Sequence, residues 1–141
     1  MSKVIDEDET YTYEILQEKH LEESSRLLGE VFSKFNPMEV FLETGYENMY
    51  TQAITFSKAV INEQLSIIAI HKQTKQIHAI VQAGDWNKLQ QFNFQELERP
   101  KDAEVFEELE RRLIQIYGEP KENQFIQIIM AGVRPDSTGK G

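Results

Sequence analysis

The residues best suited to chemistry close the chain: Val133-Arg134-Pro135-Asp136-Ser137-Thr138-Gly139-Lys140-Gly141, a glycine-flanked lysine after an apolar run. Thr138, Gly139, Lys140 and Gly141 offer successive backbone N–H donors, and the glycines keep that backbone accessible and free to take positive φ. Such a nest at the start of a helix holds pyrophosphate through its N–H groups and the helix dipole. Lys140 adds a point charge. Spacing removes two nucleotide loops. A Walker loop needs four residues between Gly and Gly-Lys, then Ser or Thr. Here six residues separate Gly132 from Gly139, and Gly141 stands where the hydroxyl belongs. A dinucleotide G-x-G-x-x-G fails as well, since no βαβ unit precedes the loop.

Other chemistries are excluded by composition. The chain has no cysteine, which rules out disulfides, thiolate metal sites and a cysteine nucleophile and fits a reducing compartment. His71 and His78 flank the polar stretch Gln73-Thr74-Lys75-Gln76 and can face each other, but two histidines are too few for a zinc site. No metal is expected. The formal net charge is −9, so the clustered Lys and Arg that neutralise nucleic-acid phosphates are missing. No basic run addresses an anionic membrane, no apolar stretch can cross a bilayer, and the N-terminal residues form no signal or transit pattern. A soluble cytoplasmic protein is expected. At 141 residues it is one domain, long enough to bury a core without staples.

The elements that must position the loop follow from periodicity. Residues 1–10 read as a flexible acidic lead-in, and Tyr11 to Gln17 as a strand with Tyr11, Tyr13 and Ile15 on one side. Leu27, Leu28, Val31, Phe32 and Phe35 form one stripe of a helix from Leu21 to Phe35, which Asn36-Pro37 stops. Met49, Ala53, Phe56 and Val60 mark a second helix, and Phe32, Phe35 and Phe56 are expected in the core. Leu65 to Lys72 and Ile77 to Trp86 read as a hairpin covered on both faces. Trp86 packs or lines a pocket. Residues 87–100 are ambiguous. Phe106, Leu109, Leu113 and Ile116 mark a third helix, with Asp102 as its cap and Gly118 and Pro120 at its end. Gln124 to Val133 reads as a central strand. The order β-α-α-β-β-α-β gives an α/β chain on a mixed (α+β) sheet, ending in the glycine loop.

Ala131 to Gly141 after an apolar strand resembles the acetyl-coenzyme A segment of the GNAT superfamily of N-acetyltransferases, where a valine, a proline two residues on and an [R/Q]-x-x-G-x-[G/A] loop precede a helix. Val133 and Pro135 match. Thr138 stands where Arg or Gln is usual, Gly139 and Lys140 fill the variable positions, and Gly141 matches the first fixed glycine. The last two positions of the motif are absent. The element order also resembles the N-terminal half of that fold, so residues 11–141 are expected to be a partial GNAT-type domain. A finer resemblance is to arylalkylamine-type members, whose first helix is followed by Glu-Pro-Leu. Here the triplet is Asn36-Pro37-Met38, and Asn36 is no base.

The resemblance implies direct attack of an amine on acetyl-coenzyme A in a ternary complex. The amine, with a pKa near ~10, must lose a proton first, so a base is needed. Glu39 and Glu43, after the Asn-Pro break, and Asp85, ending the third strand, are the candidates and stay unranked. The backbone N–H of Val133 would polarise the thioester carbonyl. Ala131, Gly132 and Val133 would pair with the pantetheine arm, and Arg134, Thr138, Gly139, Lys140 and Gly141 would serve the pyrophosphate. The chain alone is expected to be inactive or nearly so, with an unpaired strand edge through which it can form a homo-oligomer. The competing expectation is a non-catalytic interaction or coenzyme A-binding module of the same fold.

Overall fold

The acidic start of the chain carries a strand rather than a lead-in. In the computed structural model, which describes residues 3–92, 94, 97 and 99–139, Val4–Glu7 (β1) pairs antiparallel with Tyr11–Ile15 (β2). The turn between them is built by Asp8. Its carboxylate accepts the Thr10 and Tyr11 N–H groups at 2.7 Å each and the Tyr13 hydroxyl at 2.6 Å. These bonds hold the Asp8 carboxyl below its usual range, the Tyr13 hydroxyl contributing most. Because β1 is exposed throughout, its composition resembles that of an unstructured segment.

Helix period replaces strand period at Leu21. Leu21–Phe35 (α1) ends where Asn36 goes extended before Pro37, as the Asn-Pro pair demands. Pro37 then occupies the first position of a short second helix, Pro37–Phe41 (α2). Tyr46–Val60 (α3) returns alongside α1. At their contact, a Cβ on Gly29 would come within 3.2 Å of the Tyr50 Cα, so glycine sets how closely the two helices approach. Ile67–His71 (β3) and Ile77–Asp85 (β4) form the hairpin, Trp86–Gln91 (α4) and Ala103–Tyr117 (α5) follow, and Ile126–Val133 (β5) completes the sheet. The strand order is β1-β2-β3-β4-β5, every neighbouring pair antiparallel. The fold is thus α+β. α1 and α3 pack on one face of the sheet, with Leu27, Leu28, Met49 and Ala53 meeting Ile68, Ile77, Ile80 and Met130 in the core.

The other face is not covered as the long apolar runs suggested. Ile67, Val81, Ile128 and Val133 are exposed. β5, which reads as a central strand left with one edge unpaired, lies at the edge of this sheet, paired only with β4 among the described residues. α5 forms where its stripe predicts but buries none of its residues, and Ile116 is 70% exposed. Phe35, at the last turn of α1, is 58% exposed instead of in the core. Trp86 is buried against Phe125, their ring centres 5.8 Å apart.

Candidate functional site

Two regions hold the residues singled out by sequence, except Asp85, which lies in neither. The first surrounds α2. The Asn36 side-chain oxygen accepts the N–H groups of Met38 (3.1 Å) and Glu39 (3.2 Å), so this residue caps α2. That cap fixes Glu39 as the third residue of α2, where its carboxylate accepts the Thr44 hydroxyl. Glu39 lines a cavity of about 300 Å³ with Glu43, Thr44, Asn48, Arg99 and Lys101. Glu43 takes a left-handed φ of 53° there. Across from Glu39 stands Asp102, which is buried. Asp102 holds the N-cap position of α5 as predicted, yet its side chain makes no capping bond; it lies beside the Glu39 carboxyl instead. Burial pushes the Glu39 carboxyl above its usual range, the Thr44 hydroxyl pulls it back, and Asp102 adds to the rise.

Asp85 does not line that cavity. It caps α4, accepting the Asn87 N–H at 3.1 Å through one oxygen and the Asn123 N–H at 2.8 Å through the other. Its geometry is that of a joint between the end of β4 and the turn before β5.

The second region is the end of β5. Arg134 N–H donates to the His78 carbonyl at 2.8 Å. In an antiparallel ladder that bond flanks the Ala79–Val133 pair, which is therefore of the non-hydrogen-bonded kind. The alternation then makes Ile80–Gly132 a bonded pair and Val81–Ala131 a non-bonded one. The N–H and C=O groups of Ala131 and Val133 thus point away from β4, towards the open edge, while those of Gly132 are held in the ladder. Higher up β5 the register slips: Gln82 faces Met130 and Ala83 faces Ile128, leaving Ile129 as an extra residue. Beyond Val133 the backbone forms a 3-10 turn, Pro135–Ser137, and Thr138 donates its hydroxyl to the Pro135 carbonyl at 3.1 Å. Gly139 has φ 78°, with nothing within 4 Å of where a Cβ would stand, so its backbone conformation favours glycine more than crowding does. Arg134 turns back to Gln76 (2.6 Å) and Asp136 (3.0 Å). Lys140 and Gly141 lie outside the described residues.

No protein-family model and no curated sequence matches the chain significantly. Solved structures do match. The C-terminal condensation domain of Ebony, in complex with beta-alanyl-dopamine, superposes with a TM-score of 0.68 over 92% of this chain at 21% identity. An insect protein assigned as arylalkylamine N-acetyltransferase 7, from the yellow fever mosquito, does so with a TM-score of 0.60 over 92% of this chain at 11% identity. The fold is acyltransferase-like. The chain spans 62% of the length of the first structure and 55% of the second.

Within this acyltransferase-like fold, no group of three or more His, Cys, Asp or Glu among the described residues could hold a metal. No described helix is long and apolar enough to cross a membrane. Sequence reasoning missed two features. Asp102 was visible as a helix cap, but nothing in the sequence pairs it with Glu39. His71 and His78 were expected to face each other and do stack, with ring centres 4.8 Å apart, but the partners that converge on His78 come from residues far along the chain.

Proposed function

We propose that the chain belongs to a GNAT-type N-acetyltransferase domain that passes an acetyl group from acetyl-coenzyme A to a primary amine of a small molecule or peptide. One observation carries the reading. Ala131 and Val133 direct their N–H groups outward from an open strand edge that runs straight into a turn ending on a positive-φ glycine. An edge of that kind accepts an extended amide-bearing arm as an added strand, and the turn beyond it suits a pyrophosphate.

The chemistry follows from these placements. Glu39 takes the acceptor amine's proton, and the free amine attacks the thioester carbonyl carbon. The Val133 N–H stabilises the oxygen as negative charge builds on it. The C–S bond breaks, the nitrogen releases its extra proton to leave the amide, and that proton converts the departing coenzyme A thiolate to the thiol. Glu39 is preferred over Asp85, whose oxygens are both bonded to backbone N–H groups. Its raised pKa keeps its proton affinity nearer to that of the group it must deprotonate. Glu43 shares the cavity and is the reserve candidate.

A second reading has its own observation: Asn36 stands in the Glu-Pro position and spends its side chain on capping α2, as a non-catalytic coenzyme A-binding module of this fold would allow. Calorimetry with coenzyme A, followed by thiol-release assays with arylalkylamines, separates the two. Binding with turnover that Glu39→Gln abolishes supports the enzyme. Because the 141-residue chain alone is expected to be inactive or nearly so, binding without turnover supports the module only in a version extended beyond Gly141, and absence of binding in that version removes both.

A further inference from the structure

The turn after β5 has an anchor on the sheet that the reaction chemistry does not use. Along the β3–β4 ladder, Ala69 faces Ala79 but Ile70 faces Ile77, so His78 is the extra residue of a bulge. Bulges re-aim side chains. This one sends a buried imidazole out of the aliphatic core and into a polar and aromatic setting. Tyr11 lies edge-on to it with ring centres 5.6 Å apart, and His71 stacks on it. Nδ1 of His78 lies 3.0 Å from the Ser137 hydroxyl and 3.3 Å from the Tyr11 hydroxyl. With Nδ1 unprotonated, its one lone pair can accept from the nearer Ser137 hydroxyl, which also lies 3.3 Å from Asp136 Oδ1. The carbonyl of the same residue accepts the Arg134 N–H at 2.8 Å. A single residue therefore grips the turn at both ends, at Arg134 through its backbone and at Ser137 through its ring, while Tyr11 braces the ring from β2.

Ser137 is itself buried, so the grip works from beneath the turn and leaves its outer side free. Ser137 N–H closes the turn on the Arg134 carbonyl at 2.9 Å, and the next two residues are Thr138 and Gly139. The orientation of the Thr138 and Gly139 N–H groups thus depends on where Ser137 is held.

We propose that His78 is a positioning residue for anion binding: through Ser137 it holds the Arg134–Gly139 turn against the sheet, so that the turn's N–H groups stand ready for the pyrophosphate of a coenzyme A thioester. This inference rests on the cradle reading of that turn. Its effect belongs to the pyrophosphate end of the ligand and not to the pantetheine arm, which the β5 edge serves separately.

The test compares coenzyme A with pantetheine, which lacks the nucleotide and pyrophosphate, by calorimetry on the full chain, with melting curves confirming that each variant is folded. His78→Ala and Ser137→Ala are expected to weaken coenzyme A binding about five- to tenfold and to leave pantetheine within about twofold, the scale of one hydrogen bond that orders a binding group. His78→Asn, which keeps a polar atom near the Nδ1 position, is expected to recover most of the loss. Amide exchange at Ser137, Thr138 and Gly139 is expected to quicken in His78→Ala. If a folded His78→Ala binds coenzyme A as the wild type does, or loses both ligands equally, the inference is overturned while the cradle reading stands. If the wild type binds coenzyme A no more tightly than pantetheine, the cradle reading fails and this inference with it. Should His78→Ala not fold, Ser137→Ala, which removes only a hydroxyl, decides by the same comparison.

Discussion

Gly132 and Val133 are neighbours whose N–H groups point opposite ways, so proline at the two positions is expected to have opposite consequences. Gly132→Pro removes the donor to the Ile80 carbonyl in the β4–β5 ladder. The lost bond and the stranded carbonyl together cost about 2–3 kcal/mol. A Cβ at this position would also stand 3.1 Å from the Leu28 Cδ2, and crowding of that kind adds about 1–2 kcal/mol. The sum, about 3–5 kcal/mol, corresponds to a fall of about 10–20 °C in Tm for a domain of this size. Val133→Pro removes a donor that serves no ladder bond, from an edge strand where proline is tolerated. Its loss of side-chain packing is small, because Val133 is 39% exposed, and the stiffer unfolded chain offsets part of it. A change within about 1 kcal/mol, or about 4 °C, is expected. The order reverses for ligand. Val133→Pro is expected to weaken coenzyme A binding at least about tenfold, since it deletes an edge donor and places a ring over the arm's path. Calorimetric melts and titrations of the two variants decide. Equal destabilisation by both prolines would show that the ladder phase is misassigned, and unaltered affinity in Val133→Pro would show that the edge does not receive the ligand.

Burial of Glu39, with Asp102 adding to it, makes stability depend on pH. Glu39 titrates above its unfolded value, so its penalty is absent below the ordinary carboxylate range and grows as pH rises through the window up to its raised value. Urea midpoints of the wild type should fall across that window, and Glu39→Gln should flatten the profile. Gln82, fully buried, donates at 2.8 Å to both the Ala53 carbonyl and the Ser57 hydroxyl, so Gln82→Ala is expected to cost about 2–4 kcal/mol in denaturant melts. Ile128 is exposed on the open face of β5, so Ile128→Lys should leave Tm within about 2 °C while reducing any self-association seen by sedimentation.

The parts of the fold legible in the sequence are those whose local signals agree with their packing. α1 carries a clear stripe, and Asn36-Pro37 stops it at the expected residue. α3, the β3–β4 hairpin and the start of α5 follow for the same reason. The failures share a different cause. An apolar period shows that a face can be buried, not that this chain supplies what buries it. Phe106, Leu109, Leu113 and Ile116 build a helix and remain exposed, and β5 reads as central because its apolar run does not record which strands lie beside it. β1 fails in reverse: its signal is not hydrophobicity but the turn that Asp8 makes behind it.

The candidate site divides along the same line. The outward N–H groups of Ala131 and Val133 belong to the backbone, and once a strand ends in a turn of this kind, register alone sets which amides face the edge. A sequence motif can therefore point to them. The carboxylate pair cannot be found that way. Asn36 takes the capping role that its place before Pro37 suits, and this leaves Glu39 as the first acid of α2 able to face the cavity. Asp102, making no cap bond to α5, is then free to stand beside it. An acid at the start of one helix is thus set against an acid at the start of another, and the contact exists only once the chain has folded. If Glu39 is the base, burial raises its proton affinity most, and a residue that from sequence reads only as a helix cap adds to the rise. Asp102→Asn should then shift the pH profile of turnover to lower pH without removing the base. Glu39→Gln should remove it, a distinction that a purely structural pair would not produce.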